Sequence, residues 1–268
     1  MTLQPFHNIY RSTGGAPGGD LVLLHGWGLH SIVWDEVMPA LLEHFQVTVI
    51  DLPGMGQSPL PSAPYTLELL VEQVSAVMPA QAHVLGWSLG GLLALALAQQ
   101  RPQQVRSVLT VGTSARFTAA EHWPHAMAPA LLERFGALLA EDENGTLIRF
   151  LALNCKGSPT VQDDVRKLKD ILYFCGLPAG RALRGGLEIL AGTDLRAVVP
   201  AVSQPLGMLF GEHDHLVPAS ALAAHQTLRP DGFHALLADT AHVPFLSHPT
   251  LFMDAVWDFY RHAGVRLD

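Results

Sequence analysis

Residues 83–97 read HVLGWSLGGLLALAL. A run of strand character, residues 83–86, meets a second apolar run, and Ser88 sits at the seam among Gly86, Gly90 and Gly91. Glycine in a strand or helix interior costs roughly 0.5–1 kcal/mol relative to alanine, so three at one junction need a reason. Gly86-Trp87-Ser88-Leu89-Gly90 fits G-x-S-x-G, the strand–turn–helix elbow that holds a serine out on a sharp, strained turn. At such a turn the flanking positions must lack side chains, which explains Gly86 and Gly90. Gly91 then lets the following helix pack closely on neighbouring strands. The competing explanation is a glycine-rich turn with an incidental serine.

Working outward, short apolar runs recur as LVLL (21–24), VTVI (47–50), HVLG (83–86), VLTV (108–111), LGMLF (206–210) and HALLA (234–238). Each is nearly continuous in apolar residues, as expected of parallel strands buried on both faces. Helical spacing fills 34–45, 66–78, 89–100 and 218–229. Strand alternating with helix predicts a doubly wound, mostly parallel α/β sheet, because parallel strands need crossovers. The alternation stops at 116–192, where AMAPALLERFGALLAE, TLIRFLAL, VQDDVRKLKDILYF and GRALRGGLEILAG read as four helices without strands. The expected organisation is a core of residues 1–115 and 193–268 with a helical lid, 116–192, over the carboxyl edge of the sheet. No repeat or linker divides the chain further.

A serine hydroxyl becomes a nucleophile when a base takes its proton and a third group orients the base. On a sheet of this kind the order along the chain is Ser, then Asp or Glu, then His, each just past a strand. Asp214 follows LGMLFG and His242 follows HALLAD, so both fall where the order requires. Asp214 is preferred to Glu212 because it lies further into the loop. His213, His215 and His248 compete with His242, which gains weight from position alone in a chain with 14 histidines. His213-Asp214-His215 also resembles a metal-ligand fragment, but no third ligand cluster is evident and no metal is expected. The oxyanion donors should be the backbone N–H groups of Leu89 and of Trp27, in the loop His25-Gly26-Trp27-Gly28 after LVLL. His25 and Asp51, the latter in DLPGMGQS, read as structural. Trp27, Trp87, Trp123 and Phe150 either line an acyl pocket or belong to the core.

Of the 268 residues, 49% are hydrophobic and 15% charged, which is a globular composition. The formal net charge of −8 argues against a nucleic-acid partner. Two cysteines, Cys155 and Cys175, do not make a disulfide framework, so free thiols are expected. MTLQPFHNIY lacks the basic and apolar regions of a signal peptide, and no apolar run reaches the ~18 residues of a membrane span. A cytoplasmic, monomeric protein is expected, and the sequon at Asn144 is read as a chance match. Charge is unevenly spread: residues 145–185 hold all three lysines and four arginines against three aspartates, a balance of +4 against −12 elsewhere. That patch either recruits an acidic partner or is a solvated helix face.

With elbow, oxyanion loop and ordered triad in place, the whole chain resembles the α/β-hydrolase superfamily. LVLLHGWGLH, LGWSLGGLLA, RFLALN, GGLEILAGTDLR and AHVPFLSHP bring it closer to one member family, the pimeloyl-[acyl-carrier protein] methyl ester carboxylesterases of biotin synthesis. The resemblance implies Ser88, Asp214 and His242 as the triad and Trp27 and Leu89 at the oxyanion site. It also implies that Phe150, Leu151, Ala152, Leu153 and Asn154 contact the substrate chain, with Asn154 standing where glutamine is expected. The basic lid residues Arg149, Arg166, Lys167 and Lys169 would receive an acidic acyl carrier protein bearing a pimeloyl methyl ester. The implied reaction needs no cofactor: Ser88 attacks the ester, methanol leaves, and water activated by His242 releases the carboxylate. It should fail in acid as His242 takes up a proton. The alternatives are a generic short-chain carboxylesterase or lactonase acting on small esters, a non-ester enzyme of the fold (disfavoured because these place aspartate at the elbow), and a non-catalytic binding protein.

Overall fold

Strands without a polar face need cover on both sides, and the chain supplies it by alternating them with helices. The computed structural model describes residues 4–267, so the outermost residues of the expected domain bounds lie outside the description. Seven strands form one sheet: β1 His7–Tyr10, β2 Gly19–Leu24, β3 Phe45–Ile50, β4 Ala82–Trp87, β5 Val105–Val111, β6 Leu206–Gly211 and β7 Phe233–Leu237. Their order is β1-β3-β2-β4-β5-β6-β7. Every neighbouring pair is parallel except β1 with β3. The six predicted strands are therefore present. The seventh, β1, escapes sequence reading because HNIY is an edge strand, largely exposed and without an apolar run.

Among the described residues, ten helices complete the fold. They are α1 Met38–His44, α2 Leu67–Ser75, α3 Leu89–Gln100, α4 Pro129–Glu141, α5 Glu143–Cys155, α6 Val161–Phe174, α7 Gly180–Gly192, α8 Ala221–Leu228, α9 Pro244–Ser247 and α10 Pro249–His262. Helix α3 is buried from Leu89 to Ala98, which is why its sequence carries no polar face. The single helix expected over 34–45 is instead a 3-10 turn, Ser31–Trp34, followed by α1 opening at Pro39 in its first turn. Helix α10 was not singled out, although Phe252, Val256 and Phe259 mark a buried helical stripe.

Between β5 and β6 four helices replace the strand–helix alternation, as predicted, with two isolated bridges (Thr118 to Met127, Ala120 to Trp123) ahead of α4. Helices α6 and α7 match the predicted stretches residue for residue. Helix α5 runs further both ways than TLIRFLAL, because the Asp142 side chain accepts a hydrogen bond from Gly145 N–H at 2.8 Å and starts it early. These helices are tied to loops at the carboxyl ends of the strands. Trp27 Nε1–H donates to Leu183 O (2.8 Å), His30 Nε2–H to Ile171 O (2.7 Å), and His242 N–H to Asn154 O (3.0 Å).

Candidate active site

Ser88 is the hinge between β4 and α3, and its backbone sits at φ 55, ψ −116, a region that side chains rarely occupy. The glycines around it have the tasks their positions suggested. A Cβ on Gly86 would collide with Gly90 backbone, one on Gly90 with the carbonyls of Leu24 and His25, and one on Gly91 with the Thr113 side chain. The first turn of α3 thus lies directly against the end of β2 and the loop after β5. Thr113 Oγ1–H donates to Ser88 O (3.1 Å), and Ser88 N–H to Val111 O (3.0 Å), pinning the turn. Leu89 opens α3, so its N–H has no carbonyl a turn behind it within the helix.

Asp214 and His242 meet, although 28 residues apart, at 2.7 Å between Oδ2 and Nδ1, both side chains wholly buried. The carboxylate is fully engaged: Oδ1 accepts from Leu216 N–H (2.7 Å) and Val217 N–H (2.9 Å). A carboxylate can only accept here, so the shared proton belongs to His242 Nδ1 and leaves Nε2 as the ring's lone-pair nitrogen. That Nε2 is buried with no partner. Glu212, the other acid considered, is exposed and instead accepts from Asp239 N–H at 3.0 Å. Trp87 Nε1–H donates to His242 O (2.9 Å) and Gly112 packs against the ring, fixing the histidine from two more directions.

The loop His25-Gly26-Trp27-Gly28 lies beside the elbow, with Gly26 against the Trp87 ring. His25 is the structural histidine expected: it donates from Nδ1 to Gly26 O (2.8 Å) and accepts from Leu52 N–H at Nε2 (2.8 Å). Its burial lowers its pKa to about 4, so it stays neutral. Asp51 is structural too, its two oxygens accepting from the Ser31 and Gln57 amides at 2.8 Å each. Trp27 meets Phe150 edge to face at 4.7 Å, which brings α5 onto the loop after β2. Trp123, by contrast, packs on His225 and under Arg196, away from the elbow, and is not a lining residue of this site.

Of the five α5 residues assigned to the substrate chain, Phe150, Leu151 and Asn154 are buried and Leu153 half-buried, while Ala152 is exposed on the opposite face of the helix from Phe150 and Asn154. Asn154 Nδ2–H donates to Phe150 O (2.6 Å), and Oδ1 is buried without a partner. Among the basic residues, Arg149 is exposed with no carboxylate in ion-pair reach among the described residues. Arg166 pairs with Asp163 at 2.8 Å, both well exposed. Lys167 is spent on the core instead, bound to Glu36 at 2.8 Å, and Lys169 is half-buried. Cys155 and Cys175 are both free thiols, and burial pushes the Cys155 thiol well up.

The features that sequence reasoning missed here are backbone groups. The Leu216 and Val217 amides that hold Asp214, and the Asn154 carbonyl that holds the His242 amide, carry no residue signature.

A sheet of this order carrying a strained serine, an ordered acid and a buried histidine defines a hydrolase class. Residues 21–249 match the model of the alpha/beta hydrolase fold, and the chain belongs to that family. A pimeloyl-[acyl-carrier protein] methyl ester esterase of Aeromonas hydrophila is 41% identical over 243 residues, 90% of this chain and 95% of that protein. The namesake from Salmonella typhimurium is 40% identical over 250 residues, 93% of this chain and 97% of that one. Within the hydrolases this chain therefore belongs with the pimeloyl-[acyl-carrier protein] methyl ester esterases. An esterase from Exiguobacterium antarcticum superposes with a TM-score of 0.85 over 97% of this chain and 99% of its own, but at 17% identity that likeness speaks to the fold alone.

Proposed function

We propose that this chain is the esterase that hydrolyses the methyl ester of a pimeloyl group carried on acyl carrier protein, with Ser88 as nucleophile, His242 as base and Asp214 as its orienting partner. The observation that carries the chemistry is the buried Asp214–His242 pair with Nε2 unengaged, its ring packed on Gly112, next to the Val111 carbonyl that holds the Ser88 amide. Ser88 Oγ attacks the ester carbonyl as its proton passes to Nε2. The N–H groups of Leu89 and Trp27 receive the oxyanion. The imidazolium then protonates the departing methoxide, and methanol leaves the acyl-enzyme. Water, deprotonated by the same nitrogen, attacks in turn, and the free carboxylate departs with Ser88 restored. The substrate assignment rests on the family and on the positive balance of residues 145–185. Residues 116–192 act as a lid over a core of 1–115 and 193–268. Arg149 and Arg166 are the leading contacts for the acidic carrier, and Lys169 is secondary. Lys167 serves the carrier only by leaving Glu36.

The test compares pimeloyl-carrier methyl ester, dimethyl pimelate and a short acetate ester, on the native chain and on Arg149→Glu/Arg166→Glu. The proposal expects the carrier substrate to be preferred, and the charge reversal to raise its KM about tenfold or more while leaving the small esters unchanged. A preference for the acetate ester with no action on the carrier substrate would overturn the substrate assignment. Equal effects of the reversal on all three would overturn the docking surface.

A further inference from the structure

Sequence alone leaves His213-Asp214-His215 as a metal-ligand fragment without a third ligand. The fold supplies one and removes another candidate. Asp214 is consumed by His242, Leu216 and Val217, while Asp239, from the loop after β7, comes to lie against Glu212 and His213. We propose that Glu212, His213 and Asp239 bind a divalent transition-metal ion, with zinc as the best fit.

The three side chains offer one imidazole nitrogen and two carboxylate oxygens, all within 4.8 Å of one another. Tetrahedral zinc bonds such donors at about 2.0–2.2 Å, which places neighbouring donors about 3.4 Å apart. His213 Nε2 and Asp239 Oδ1 are 3.7 Å apart, too far for a hydrogen bond and close to that edge. An imidazole with two carboxylates suits zinc or cobalt better than calcium or magnesium, which favour all-oxygen sets. The donors are held by their surroundings. Glu212 accepts from Asp239 N–H (3.0 Å), His213 N–H donates to Thr240 O (2.8 Å), and Gly157, from the loop after α5, packs on His213 where any Cβ would clash. All three are exposed, and a cavity of about 400 Å³ beside Glu212 and His213 leaves room for water in the remaining position. The ion would join the loops that carry Asp214 and His242 without touching either residue.

The experiment uses the tag-free, chelator-treated chain. Zinc binding is followed by calorimetry and cobalt binding by its visible absorption, with melting temperature recorded in parallel. The proposal expects one ion per chain, a melting temperature that rises with zinc, and a tetrahedral cobalt spectrum. His213→Ala and Asp239→Asn should each weaken binding by about tenfold or more, and the double variant should abolish the thermal shift. His215→Ala, next to the cluster but outside it, should bind as the native chain does. All substituted side chains are exposed, so the metal-free variants should melt like the native chain. Absence of zinc binding, or binding that survives the double variant, would overturn the site.

Discussion

Asn in place of Asp214 tests the proposed triad more sharply than any truncation, because the structure dictates how the amide must turn. In the native chain Oδ1 accepts from the amides of Leu216 and Val217, and Oδ2 from His242 Nδ1–H. An asparagine oxygen can accept those two backbone donors, but its NH₂ cannot. The oxygen therefore keeps the Oδ1 position and the NH₂ faces His242. A donor now meets Nδ1, so the ring must shift its proton to Nε2, the one nitrogen that has to accept the Ser88 proton. Shape and most hydrogen bonds survive while the base is disabled by its tautomer. The corresponding change in a serine protease lowers kcat by about 10⁴, or about 5.5 kcal/mol of transition-state stabilisation, and the same loss is expected here. KM for dimethyl pimelate should stay within a few-fold, since the carboxylate lies behind the ring. Stability should fall by no more than about 1–2 kcal/mol, the value of one altered buried hydrogen bond. Asp214→Ala, which also strips the Leu216 and Val217 amides of their acceptor, should melt lower than Asp214→Asn. Steady-state hydrolysis with a thermal melt decides the matter: a kcat within tenfold of native, in a protein that melts normally, would refute the assignment of Asp214.

Ser88→Ala should lower kcat for a chromogenic ester by about 10⁶ without changing the far-ultraviolet circular dichroism, and turnover near the native rate would remove the nucleophile. Gly91→Ala drives a methyl group into Thr113 and should cost about 1–3 kcal/mol in chemical denaturation. Adding Thr113→Ala should return part of that loss, and strict additivity would mean that the contact does not matter. Burial holds His25, His83 and His225 at a pKa of about 4 against the usual 6.5. The unfolded chain therefore binds more protons between those values, and stability falls as pH drops from 6.5 towards 4. At the steepest point unfolding should take up about three protons, near 4 kcal/mol per pH unit, and a flat stability profile over that window would contradict the buried, neutral histidines.

The parts of the fold visible in the sequence are those where side chains have to follow the backbone. Continuous apolar runs announced β2 to β6 because both faces of those strands are covered, and β7 at the other edge carried such a run although only partly buried. The glycines announced the elbow because Cβ atoms do not fit at Gly86, Gly90 or Gly91. Strand β1 stayed hidden because an exposed four-residue edge needs no pattern. Chain order singled out His242 among 14 histidines, and depth in the loop favoured Asp214 over Glu212; the structure brings those two side chains together. It could not reveal that Lys167 is held by Glu36 or that Ala152 faces away from Phe150 and Asn154, since both depend on how the lid helices rotate on the core. Asp239 was invisible for another reason: its backbone turns left-handed at φ 57, and the resulting bend brings it back to Glu212 and His213.

Helix α5 joins the two halves of the proposed chemistry. Its outer face presents Arg149, and within two turns its inner side brings Phe150 onto Trp27 and the Asn154 carbonyl onto the His242 amide. Ser88 is only 2% exposed and His242 not at all, so the proposed reaction requires the helices over them to shift before an ester is admitted. The polar ties between residues 116–192 and the rest of the chain include Trp27 to Leu183, His30 to Ile171, Asn154 to His242, Ala179 N–H to Gly54 O, Arg181 to Ser62 O and the Lys167–Glu36 and Arg116–Asp194 pairs. In the proposed reading a carrier seated at Arg149 engages the same helix that meets Trp27 and the His242 amide. In the proposed mechanism the burial of Ser88 and His242 keeps bulk water from the reacting atoms, which is where the electrostatic help of the Leu89 and Trp27 amides counts most.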